Sequence, residues 1–195
     1  MRKQRIVQLA FYHLLRCGID AFSIDSLATS LGLCARTINE QFPLGDHELL
    51  MDAVEYAGKN WVNRVRAENL AITSVEARLK HLVTSYVMGT TLHAESLSTY
   101  IDLWKKIKDG QEAYLQGRLR RLYQYYAAEF IEILTMISEF PIPDDHVRGL
   151  SLLMTVLSDV LHVQSLVLQN DVDFSSMEAI IEKMCLSLLL GGRNE

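Results

Sequence analysis

Three of the 195 residues are proline, at Pro43, Pro141 and Pro143, so little in the chain interrupts long helices. Cysteine is equally scarce. Cys17, Cys34 and Cys185 are odd in number, far apart and in no CxxC spacing, which supports neither a disulfide framework nor a zinc site and makes ordinary buried small residues the expectation. No apolar run is long enough to cross a bilayer, so no membrane partner is expected. A glycine-rich phosphate loop, an HExxH pair and a nucleophile elbow are all missing, and the six histidines, His81, His93, His146 and His162 among them, stand singly. These absences argue against an enzyme and imply neither a metal nor a cofactor. Period-two alternation and Asn-Gly hairpin signals are lacking too, which removes a sheet from consideration.

What remains is a chain that is 49% hydrophobic with mean hydropathy +0.09, too apolar for disorder. Apolar residues recur at spacings of three and four from end to end, the mark of an all-α fold of about nine helices. The basic opening Met-Arg-Lys-Gln-Arg runs into an amphipathic stretch with Gln8, Tyr12 and His13 instead of an apolar signal core, so a cytoplasmic protein is expected. Net charge is -5, unevenly spread. Residues 1–50 carry five Lys/Arg and five Asp/Glu, whereas residues 51–195 carry fourteen and nineteen and hold the whole excess. A neutral N-terminal segment suits DNA only where its cations cluster. Arg2, Lys3, Arg5 and Arg36 are the candidates, opposed by Glu40 and Asp46.

Residues 23–42 have the pattern of a helix-turn-helix. Ile24, Leu27, Ala28 and Leu31 fall on one helix face behind a Ser23 cap, and Gly32 supplies the left-handed stop. After the turn, Leu33, Ile38 and Phe42 point to the core. That leaves Ala35, Arg36, Thr37, Asn39, Glu40 and Gln41 to be shared between solvent and a groove, and a second helix held this way can enter the major groove of DNA. Before it lies a helix from Arg5 to Cys17 closed by Gly18. After it, Asp46 can cap a fourth helix running to about Glu68.

Further on, Thr73-Ser74-Val75-Glu76 reads as a capping box for a helix reaching about His93. Ser96 to Lys108 and Gln111 to about Glu139 follow. Leu115, Leu119, Leu122, Tyr126, Phe130, Ile133 and Ile137 form the inner face of the latter. Beyond the Pro141-Ile142-Pro143 break, Asp144 caps a helix striped by Val147, Leu150, Met154, Leu157, Leu161 and Leu168. A second capping box, Ser175-Ser176-Met177-Glu178, opens the last helix with Met177, Ile180, Ile181, Met184 and Leu188, ended by Gly191-Gly192. Two terminal helices this apolar belong either inside a monomer core or in a two-fold four-helix interface.

Arg5-Ile6, Gly18, Ser23-Ile24, Leu27-Ala28, Gly32-Leu33, Thr37-Ile38, Phe42-Pro43 and Glu48-Leu49-Leu50 together resemble the N-terminal DNA-binding domain of the TetR family of transcriptional regulators. The resemblance covers about the first quarter of the chain. It implies a three-helix DNA-binding domain over residues 1–50 and a helical ligand-binding and dimerisation domain over 51–195, with a homodimer formed through the two C-terminal helices. The DNA-facing set it implies is Arg5, Ser23, Ala35, Arg36, Thr37, Asn39, Gln41 and His47. Arg36 would grip guanine or a phosphate, Gln41 adenine, and Thr37 a phosphate or a thymine methyl, while Glu40 is left as a solvated residue.

The sequence departs from the family in four places. Cys34 stands where a capping Ser is usual, Asn39 where Tyr is, and Gln41 where His is. Leu44-Gly45-Asp46-His47 replaces a segment with a phosphate-binding Lys, the loss of which lowers the salt slope by about one. An effector pocket is implied in the central helices. Trp61, Tyr86, Tyr100, Trp104 and Phe130 are the candidates, with Arg118, Arg120 and Arg121 a basic run for an anionic ligand. The expected function is a dimeric, ligand-responsive repressor on a palindromic operator. The alternative is a TetR-fold protein that has lost strong DNA binding and serves as a co-activator, adaptor or lipid-binding protein.

Overall fold

The computed structural model describes residues 3–88, 102, 103, 105, 113–138, 145–154, 156, 160 and 174–190. Among them there is helix and turn and no strand, as the apolar spacing expects. The chain divides into two compact units, Met1–Trp61 with Glu95–Leu122 and Val62–Ala94 with Tyr123–Glu195.

In the first unit, α1 (Lys3–Cys17) buries Ile6, Val7, Ala10, His13 and Leu14. Helix α2 (Ile24–Leu31) buries Ile24, Leu27 and Ala28, and α3 (Ala35–Asn39) buries Ile38. Gly32 ends α2 at φ 64, and the Leu33 N–H closes the stop on the Ala28 carbonyl at 2.9 Å. Helix α3 is shorter than the apolar pattern suggests. It ends at Asn39, so Glu40 and Gln41 form a turn that drops Phe42 into the core with no exposed surface. Leu33, expected to be buried, is half-exposed because it sits in the turn. Gly45, at φ 76, then redirects the chain into α4 (Asp46–Ala71). Ile6, Leu14, Leu27, Ile38, Phe42 and Leu49 are all but sealed from water, each stabilising the unit by about 1.5–3 kcal/mol relative to exposure.

The second unit contains the end of α4, with Val62 and Val65 buried, and α5 (Val75–Met88), which packs against α8 (Phe174–Leu190). Helix α6 (Ala113–Ile137) belongs to the first unit through Leu122 and to the second beyond it. Its expected inner face is buried except for Tyr126, which is half-buried. Residues 145–154 form α7, with Val147, Leu150 and Met154 inward and Ser151 Oγ donating to the Ala127 carbonyl at 3.1 Å. Two capping expectations shift. Helix α5 is capped by Ser74, one residue beyond Thr73, its hydroxyl accepting from Ala77 N–H at 3.3 Å. Helix α8 already begins at Phe174, so Ser175 and Ser176 sit in its first turn instead of before it. The helix expected over 96–108 falls mostly outside the described residues, as do the Pro141–Asp144 break and Gly191-Gly192.

Candidate nucleic-acid interface

Helix α3 is fixed from beneath by Ile38 and from its end by Phe42, both without exposed surface. Its other side therefore faces out: Arg36, Thr37 and Asn39, with Glu40 and Gln41 of the following turn, are exposed, and Ala35 is half-exposed. Helix α2, against which α3 packs, is in turn pinned at its start. Ser23 Oγ accepts from Ser26 N–H at 3.0 Å, and Ser26 Oγ returns the bond to Ser23 N–H at 3.0 Å. Buried His13 of α1 touches the same Ser26 hydroxyl at 2.9 Å. Asp46 Oδ1 accepts from Ile24 N–H at 2.7 Å, so the first residue of α4 caps α2 across the turn. Ser23, half-buried, is thus engaged in capping. The roles of Ser26 and Asp46 escape sequence reading, because a Ser at the third helical position is not the usual capping-box partner and Asp46 reaches a helix 22 residues away.

Cys34 precedes α3 with extended φ and ψ of -78 and 127 and makes no side-chain cap bond, in keeping with a thiol replacing a hydroxyl. It is exposed, against the expectation that all three cysteines are buried. Cys17 is half-buried, and only Cys185 is fully enclosed, its thiol pushed up to about 11 by burial.

The cations do not pool as the composition suggests. Arg2 lies outside the described residues. Lys3 Nζ pairs with Glu48 at 2.9 Å and Asp52 at 3.4 Å and lies 4.6 Å from the centre of the Phe42 ring. These acids, Glu48 first, raise the Lys3 pKa. Arg5 is exposed and donates to Gln8 Oε1 at 2.7 Å. His47 is exposed on α4. Arg36, 85% exposed along its side chain, donates from Nε to Glu40 Oε1 at 3.1 Å across one helical turn. Glu40, expected merely to be solvated, is the partner of Arg36.

Arg118 is not open to an anionic ligand. Its guanidinium donates to Glu55 Oε1 at 2.6 Å, Asp52 Oδ1 at 2.8 Å and the Tyr114 hydroxyl at 2.7 Å, with 15% of the side chain exposed. Those partners, Glu55 foremost, push its pKa further up. Arg120 and Arg121 are exposed. Of the candidate ligand residues, Tyr86 and Phe130 are brought together edge to face at 4.9 Å, 4% and 1% exposed, and the Tyr86 hydroxyl donates to the Tyr126 carbonyl at 3.3 Å. Burial pushes the Tyr86 hydroxyl well up from its ordinary pKa, so it stays protonated. Trp61 is half-buried, and Tyr100 and Trp104 lie outside the described residues. Among the described residues no three His, Cys, Asp or Glu gather as a metal site, and no helix is long and apolar enough to cross a membrane.

No family model matches the sequence, and no curated protein matches it closely enough to count as a relative. Solved structures resemble it in fold. A TetR transcription regulator from Haloarcula marismortui is similar at TM-score 0.69 and 14% identity, over 96% of this chain and 97% of its own. A putative transcriptional regulator from Saccharomonospora viridis, solved with choline, gives 0.63 and 22% over 93% of each. The transcriptional regulator FadR from Bacillus subtilis, solved with stearoyl-CoA, gives 0.64 and 12% over 95% and 98%. The chain therefore has the TetR-type fold along nearly its whole length, well beyond the quarter that carries the sequence resemblance.

Proposed function

We propose that this protein is a dimeric transcriptional regulator, a repressor acting in the cytoplasm, that binds a palindromic operator through α3 and releases it on binding a small molecule. The observation that carries this reading is the outward face of Arg36, Thr37, Asn39 and Gln41 on a helix anchored by Ile38 and Phe42. Nothing in the packing of the first unit requires those four polar residues. A buried anchor beneath a polar, exposed helix is how a reading helix is delivered to the major groove. The fold adds support, since the similar structures are of regulators, two of them solved with choline or stearoyl-CoA.

Exposed apolar residues of the second unit support the homodimer. Leu152, Val156 and Val160, each helical, are spaced four apart in the sequence and are 67%, 50% and 44% exposed. Ile180 and Met184 repeat the spacing on α8 at 58% and 42%. An apolar stripe of this kind on two helices suits an isologous four-helix contact, and two reading heads about 34 Å apart address successive major grooves. The effector is a small molecule taken by the central helices.

The test is a fluorescence-anisotropy titration on duplexes flanking the protein's own coding region at two salt concentrations. Binding that survives an excess of random duplex and is lost in Arg36→Ala is the expected result. Equal affinity for flanking and random duplexes would favour the co-activator, adaptor or lipid-binding alternative.

A further inference from the structure

We infer that Glu40 is a specificity residue of the reading helix, bracing Arg36 for end-on recognition of guanine and opposing its capture by phosphate. This deepens the DNA-binding reading above and rests on it. The pair is joined through one edge of the guanidinium only, Arg36 Nε to Glu40 Oε1 at 3.1 Å, with 85% and 61% of the two side chains exposed. No bond from the Arg36 terminal nitrogens is present among the described residues. Those two nitrogens form the parallel donor fork that matches O6 and N7 of guanine.

An unbraced arginine on an exposed helix has a choice of phosphate or base, and phosphate carries no sequence information. Glu40 removes much of that choice. Its charge cancels that of Arg36, so approach to the anionic backbone gains little, and its carboxylate holds the fork along one direction. The second carboxylate oxygen can accept from the N4 amino group of cytosine, the partner presented by the same kind of base pair. The rest of the reading head sharpens the need for this device. Lys3 is committed to Glu48 and Asp52, which leaves Arg5, exposed and bonded to the neutral Gln8, as the candidate cation still able to take a phosphate. A head poor in phosphate contacts discriminates through its base contacts or not at all. The pair therefore points to a G·C base pair in each half-site, read jointly by Arg36 and Glu40.

The experiment selects bound duplexes from a pool randomised over its central segment, using wild type, Arg36→Ala and Glu40→Ala. Anisotropy then compares the selected duplex, its G·C→A·T variant and a random duplex across salt. Wild type is expected to enrich a G·C pair in each half-site and Arg36→Ala to lose it. Glu40→Ala should bind random duplex several-fold more tightly with a salt slope about one unit steeper, and lose about tenfold of its discrimination against the A·T variant. Glu40 is exposed, so an unchanged thermal midpoint is expected and keeps the comparison one of recognition. A Glu40→Ala protein with wild-type discrimination and slope overturns the role of Glu40 while leaving DNA binding standing. No sequence enrichment by wild type overturns the DNA-binding reading itself.

Discussion

The first unit depends on single side chains around the start of α2, and His13 of α1 is one of them. It is 8% exposed, lies 2.9 Å from the Ser26 hydroxyl and faces the Phe22 ring at 6.1 Å between centroids. Burial first, and Arg16 second, hold its pKa below the usual 6.5. The charged form is disfavoured more in the folded chain than in the unfolded one. Stability from this residue is thus fully present above pH 6.5, begins to fall below it, and is lost as pH drops through the folded pKa. Thermal midpoints of wild type and His13→Gln, taken from neutral pH to about pH 5, should diverge, with wild type the steeper. Parallel profiles would remove His13 from the account. The Ser23 cap and the poor Cys34 cap are both legible in the sequence, since capping is a local matter of residue type next to a helix start. His13 and Ser26 are not legible as partners, because thirteen residues and a turn separate them.

At the scale of helices, α4 organises its unit through an acidic stripe. Glu48, Asp52 and Glu55 recur at spacings of four and three and so share one face. Glu48 and Asp52 take Lys3 of α1, while Asp52 and Glu55 take Arg118 of α6. In the second unit, Arg66 of the same helix pairs with Glu129 and Glu132 of α6. Sequence periodicity shows the stripe and not its partners, which stand 45 to 66 residues away. For that reason Arg118 is readable only as part of a basic run, with no hint that three groups already occupy it. Enclosed and exposed pairs then separate in experiment. Arg118→Ala leaves Asp52 to Lys3 at 3.4 Å and Glu55 to Lys59 at 3.8 Å, removes their short charged hydrogen bonds, and should destabilise the protein by about 1.5–3 kcal/mol in urea titration, with Arg118→Lys a poor substitute for the planar fork. Arg36→Ala, which removes an exposed pair, should change stability by under about 0.5 kcal/mol. Similar losses in the two variants would show that α1, α4 and α6 are held by apolar packing alone.

For the molecule as a whole, helical spacing carries the fold class because burial acts on every turn of every helix, whereas the site for an effector leaves no comparable periodic trace. Tyr86 and Phe130 show the difficulty: aromatic residues at core positions read the same in sequence whether they meet a ligand or each other, and here they meet each other at 4.9 Å. The apolar stripe on α7 and α8 has the opposite character, since the sequence marks these helices as apolar while only the structure tells which residues remain uncovered. Val147, Leu150, Ile181 and Cys185 are inside, and Leu152, Ile180 and Met184 are outside. Covering the outer set is worth roughly 25 cal/mol per Å² of apolar area, and the association must offset the loss of rotational and translational freedom before any dimer forms. One buried charge on each subunit should tip that balance. Light scattering on Leu152→Glu is expected to return a monomer where wild type gives a dimer, with the helical circular dichroism retained because Leu152 contributes little to the interior. A monomer still carries an intact α3, so it should keep weak binding to random duplex while losing the operator, whose two half-sites need two heads held together. A Leu152→Glu protein that stays dimeric, or a monomer that binds the operator as tightly as wild type, would place the two-fold contact on another surface.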